Sequence, residues 1–178
     1  MGQLNTAAVV AAAKKIDGRV KLQKMVYLLQ KQGFDLGYGD FGLLLYGPYS
    51  DSLAADLDRV TGFVLQESQE SMNMVDRLTG QPAVRYVYRP RKGLARPLLQ
   101  LLKQQFGDRS EDLVCLISLL NGKSSPVLEL AATAAYFRDD EGISDPDRFW
   151  ESVLGLKGHL KSYLGQAKSL LTKLDEYG

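Results

Sequence analysis

The stretch "GRVKLQKMVYLLQKQGFDLGYGDFGLLLYGPYSDSLAADLDRV", Gly18 to Val60, decides how the chain reads. Its first part sets Leu22, Met25, Val26 and Leu29 at the i, i+3, i+4, i+7 spacing of one buried helix face, leaves Lys21, Lys24 and Lys31 elsewhere, and closes at Gly33. "FDLGYGD" reads as a loop. "FGLLLYG" is short, apolar and bounded by glycine, which predicts a buried strand rather than another helix. Ser50 then suits an N-cap, with Asp51 in the first turn where its charge meets the helix dipole. Leu53, Leu57 and Val60 supply that helix with an apolar stripe, and Thr61-Gly62 ends it.

Upstream, the Ala-rich run from Asn5 to Ile16 predicts a helix capped by Asn5 or Thr6 and stopped by Asp17-Gly18. Downstream, "FVLQES" and "AVRYVYRP" carry strand character, and the polar segment Gln69 to Pro82 between them, with Asp76 and Gly80 as turn formers, predicts a hairpin with a long tip. From Arg91 onward the pattern is helical. Gly107, Gly122 and Gly142 separate the helices, and Ser125-Pro126 and Asp145-Pro146 mark N-termini, where proline forfeits no needed hydrogen bond. This order predicts a mostly α member of the α+β class. Residues 1–92 form a winged-helix-like unit with a β-hairpin wing, and residues 93–178 form a helical bundle packed on it, within one compact domain.

At 178 residues and 45% apolar, the chain can bury one real core but not two. Lys and Arg total 22 against 21 Asp and Glu, so net charge points to neither a nucleic acid nor a membrane. Cys115 is the only cysteine and His159 the only histidine, which excludes an internal disulfide framework and leaves too few ligands for a Cys/His zinc site. The N-terminal run is short, Ala-rich and followed by its lysines, so it fits neither a signal peptide nor a membrane span, and a reducing cytoplasm is the expected location.

The motifs "KLQKMVYLLQ" and "YGPYSDSL" resemble the signature of the Panacea domain of SocA-like antitoxins and, more closely, that of the related YwgA-like bacterial proteins. The matching positions are Lys21, Leu22, Gln23, Lys24, Tyr27, Tyr46, Gly47, Pro48 and Tyr49, and the distal "LELAATAAYF" also looks YwgA-like. Panacea domains carry an aromatic-rich segment with a Trp before Tyr-Gly-Pro, where this chain has "DFGLLLYGP", so the YwgA-like branch is the better match. The resemblance implies a small bacterial or phage-related protein without catalysis. In Panacea antitoxins such a protein binds and neutralises a toxin or hands it to a protease.

The residues themselves give catalysis little footing. His159 is the only imidazole and sits in a helical "GLKGHLKSYL", nucleophile and phosphate-loop motifs are absent, and the acids of "FRDDEGISDPDRFW" lack calcium-loop spacing. No catalytic, cofactor-binding or metal-binding residue is therefore nominated.

Nucleic-acid binding is the rival reading. Arg77, Arg85, Arg89, Arg91, Lys92, Arg96 and Lys103 follow one another without an acid from Arg77 to Gly107, and Tyr86 and Tyr88 alternate with arginines on the hairpin. Arg85, Arg89, Arg91, Lys92 and Arg96 are its candidate contacts. Against it, the third helix reads "SDSLAADLDRV", whose Asp51, Asp56 and Asp58 would repel phosphates and whose side chains cannot read base edges. The alternative for the basic wing is a solvated surface or an intramolecular partner for the acidic segment from Asp35 to Asp76.

A protein interface accommodates both signs of charge, and also self-association of opposite faces. Tyr38, Tyr46 and Tyr49 around Gly47-Pro48 are its candidate anchors, with Lys21 and Lys24 beside them, although Tyr46 next to a buried strand favours core packing. The expected function is a non-catalytic protein-binding module, an antitoxin or adaptor, whose partner is a protein such as a cognate toxin.

Overall fold

In the computed structural model the described residues are 2–75 and 82–177. Asp76, Arg77 and Gly80, named above as turn formers and as part of the basic run, lie outside them. The protein is α+β and mostly helical. Among the described residues no helix is long and apolar enough to cross a membrane.

Helix α1 (Gly2–Ala13) begins earlier than its sequence suggests, so Asn5 and Thr6 lie inside the helix rather than capping it. Both are buried because they serve the loop opposite: Asn5 Nδ2 donates to the Leu36 carbonyl at 3.2 Å, and Thr6 Oγ1 meets the Tyr38 hydroxyl. The helix ends at Lys14, which takes φ 64. After Lys15 comes strand β1 (Ile16–Asp17), where a helix end was predicted.

Helix α2 (Arg19–Lys31) buries its predicted stripe completely, but Lys21, Gln23 and Lys24 are buried with it. Strands β2 (Gly42–Leu44) and β3 (Gly47–Tyr49) form a small antiparallel hairpin in which Leu44 opposes Gly47. The Ser50 hydroxyl caps α3 (Asp51–Val60) by accepting from the Leu53 amide at 3.0 Å, and Leu53, Leu57 and Val60 fill the core as the stripe predicts. Ladder pairing carries β4 (Leu65–Val75) well beyond the short strand predicted, so the stretch Gln69 to Val75 is strand and not tip. Strand β5 (Pro82–Pro90) lies between β1 and β4, pairing antiparallel with both.

Five helices follow: α4 (Ala95–Phe106), α5 (Ser110–Asn121), α6 (Ser125–Asp139), α7 (Pro146–Lys157) and α8 (Leu164–Asp175). Asp145 caps α7 by accepting from the Asp147 amide at 3.0 Å, with Pro146 in the first turn. The hydrophobic core is continuous from α1 and α2 through α6 to Leu174 of α8, with α6 packed between α2 on one side and α7 and α8 on the other.

Candidate functional site: a braced apolar turn

The polar side chains of "KLQKMVY" all reach across to other elements. Lys21 Nζ donates to the Asn121 carbonyl at 2.6 Å, a cation at the negative end of α5. Gln23 clamps Ser50 in both directions, donating to its carbonyl and accepting from its amide at 2.9 Å each. Lys24 Nζ donates to the Pro48 carbonyl at 2.6 Å. The Tyr27 hydroxyl donates to Asp140 Oδ2 at 2.5 Å while Lys31 holds Oδ1 at 2.6 Å, and burial followed by this bond pushes the Tyr27 phenol well up. The motif is therefore a set of braces, two of which grip the segment from Pro48 to Ser50.

The same segment is held from the opposite side. Gly47 has φ 90, and a Cβ there would sit 2.8 Å from Thr133 Oγ1 of α6, so only glycine lets the turn approach the helix this closely. Lys157 of α7 donates to the Leu45 carbonyl and to Glu129 Oε1, the latter at 2.6 Å. Burial pushes the Lys24 ammonium down to about 8, an effect that Glu129 opposes and Lys157 adds to. Two buried lysines thus anchor one turn by its carbonyl oxygens, with Glu129 as the nearby counter-charge.

That bracing exposes what lies at the tip. Leu44 is 59%, Leu45 77% and Tyr46 57% exposed, and Leu156, the residue before Lys157, is exposed as well. The buried strand predicted for "FGLLLYG" is therefore corrected: only Gly42–Leu44 form β2, none of the three is fully buried, and the exposed side chains run from Leu44 to Tyr46 because the core grips this turn by its backbone. Consecutive apolar side chains held in water on a fixed backbone mark an interaction site more often than a packing accident.

Of the anchors nominated from sequence, Tyr46 is exposed and Tyr49 half-buried, while Gly47 and Pro48 are buried. Tyr38 is 4% exposed and cannot be a surface anchor. Its hydroxyl meets Thr6, donates to the Gly2 carbonyl at 2.8 Å and lies 3.2 Å from Asp56 Oδ2, and burial pushes that phenol up. Lys21 and Lys24 are likewise corrected from partner contacts to internal braces, since their ammonium groups are engaged by carbonyl oxygens of this chain.

The basic wing divides in two. Arg85 pairs with Glu70 at 2.9 Å and with Asp17 at 3.3 Å, and Arg89 pairs with the same Glu70 at 3.0 Å, which holds that carboxyl below the usual carboxylate range. Arg19 bridges Asp58 of α3 at 2.7 Å and Glu67 of β4 at 3.6 Å. The acidic and basic segments that divide the sequence are thus stitched together within one molecule. Arg91, Lys92 and Arg96 are exposed and form no ion pair among the described residues.

Glu129, Thr133 and Lys157 went unnominated in the sequence. A signal for the first two was present: "LELAATAAYF" is an Ala-rich buried helix carrying one carboxylate and one aliphatic hydroxyl, a pattern that asks for partners. His159 is exposed in the 3-10 segment Gly158–Tyr163, and Cys115 is exposed on α5.

No protein-family model matches the chain. It is 30% identical over 153 residues to the uncharacterised protein YwgA of Bacillus subtilis (strain 168), a match that covers 83% of this chain and 78% of the relative. Identity at that level over most of both sequences places the chain in the family of the uncharacterised bacterial protein YwgA.

Proposed function

We propose that the protein is a non-catalytic, cytoplasmic protein-binding module whose contact surface is the apolar turn Leu44-Leu45-Tyr46. The observation that carries this reading is the combination of strong exposure at all three residues with backbone bracing from Lys24, Lys157 and Gly47. A rigid apolar loop loses little conformational entropy on binding and offers a tyrosine and two leucines as anchors. The winged-helix-like reading of α1, β1, α2, α3, β4 and β5 belongs to the same proposal, with the hairpin turn inserted between α2 and α3. On the resemblance to SocA-like antitoxins, the partner is a toxin and the module an antitoxin or adaptor.

The test is affinity capture from the native host with the wild type beside Leu45→Glu and Tyr46→Glu, followed by reconstitution with the purified partner. One partner that binds the wild type and loses at least tenfold in affinity with either variant supports the proposal. Equal binding by all three rejects it. Both substitutions lie at exposed side chains, so unchanged melting curves keep the comparison clean.

A DNA-binding reading retains one specific support, the exposed Arg91, Lys92 and Arg96, which form no ion pair among the described residues, together with Phe63, an 81% exposed aromatic in the turn that follows α3. The Arg91 amide donates to the Val64 carbonyl at 3.0 Å, which fixes this turn against the end of β5. Three cations give only a short phosphate footprint, and the protein reading is preferred.

A further inference from the structure

A second surface lies away from the braced turn, where α4 and α5 form a shallow groove. Leu99 on one side and Val114 and Cys115 on the other are exposed along it. Lys103 stands on the α4 rim and Glu111 on the α5 rim, both exposed, and neither belongs to an ion pair among the described residues. The charges are segregated by helix. Helix α4 carries Arg96 and Lys103 with no acid, and α5 carries Glu111 and Asp112 with no base.

From this arrangement we infer that the α4–α5 groove is a homodimer interface, with a second copy of the chain as its occupant. Consider a two-fold axis lying between the copies and running along the groove. It sets α4 of each copy over α5 of the other, the self-complementary pattern that a closed symmetric dimer requires. Lys103 then faces Glu111 of the partner subunit and, one helical turn further along the groove, Leu99 faces Val114 of the partner subunit, so two ion pairs stand at one end and the apolar contacts lie beside them. Any partner of uniform charge would meet repulsion from one rim; a second copy meets opposite charge at both. Two three-turn helices offer a face at the small end of specific interfaces, so the dimer is concentration dependent. This inference is independent of the apolar turn, and either can fail alone.

Light scattering and sedimentation velocity on the full chain, from low to high micromolar concentration, test it. The wild type is expected to move from monomer to dimer, and a bismaleimide reagent to join Cys115 of two copies. Lys103→Glu sets like charges at both ion pairs and should raise the dissociation constant about tenfold or more. Adding Glu111→Lys to that variant should restore the dimer, a rescue that neither misfolding nor non-specific association would produce. A wild type that stays monomeric throughout overturns the inference, and so does a dimer indifferent to Lys103→Glu.

Discussion

Lys24 Nζ donates to the Pro48 carbonyl at 2.6 Å from a side chain that is 1% exposed, so a charged lysine in the core is committed to positioning one turn. Burial lowers its pKa from 10.5 to about 8. Between those values the unfolded chain binds more protons than the folded one, and stability therefore rises with pH across that window. The gain attributable to Lys24 is roughly 3 kcal/mol, at about 1.4 kcal/mol per unit. Urea unfolding of the wild type and Lys24→Met from pH 7.5 to 10.5 should show the rise in the wild type and its loss in the variant; parallel pH profiles would remove Lys24 as its source.

Glu129 is the carboxylate that meets Lys157 at 2.6 Å, with side-chain exposures of 12% and 4%. Glu129→Ala leaves Lys157 and Lys24 buried without that counter-charge. A loss of about 3–5 kcal/mol in unfolding free energy is expected. Glu129→Gln keeps an acceptor and should cost less. Equal costs for the two variants would show that the charge is irrelevant.

Gly47→Ala puts a methyl group 2.8 Å from Thr133 Oγ1 at a backbone φ of 90. Strain and crowding together should cost roughly 1–3 kcal/mol. Combining it with Thr133→Ala should recover part of that cost, which thermal denaturation of the single and double variants measures.

Arg85 and Arg89 share Glu70, whereas Arg91, Lys92 and Arg96 have no acidic partner among the described residues. Any affinity for DNA should therefore fall on Arg91→Ala or Lys92→Ala and show a shallow salt dependence of about three phosphate contacts or fewer. Fluorescence anisotropy with duplex and single-stranded probes across a salt series provides the readout. A steep slope, abolished by Arg85→Ala, would instead restore the wing as a phosphate-binding face.

Local pattern made much of the scaffold legible. The apolar stripe of α2, the Ser50 cap, the Leu53, Leu57, Val60 face and the paired strands of the hairpin all depend on neighbours within a few residues. The failures have a common cause in long-range partners. Asn5 and Thr6 look like caps until the loop at Leu36 and Tyr38 claims them. Lys24 looks like a solvated lysine because Pro48, Glu129 and Lys157 come together only in three dimensions. "FGLLLYG" looks buried because periodicity records side chains, while the core holds this segment by its carbonyls. The candidate site was thus visible as a motif and invisible as a mechanism.

Helix α1 is packed against α3, α4, α5 and β5, with every residue from Asn5 to Ala11 buried. It precedes α4 and α5 in the chain, yet two of its walls belong to those helices, which begin at Ala95 and Ser110. On the ribosome, this alanine- and valine-rich segment stays uncovered until most of the chain has emerged, so closure of the core waits on contacts of high sequence separation and productive folding is late rather than progressive.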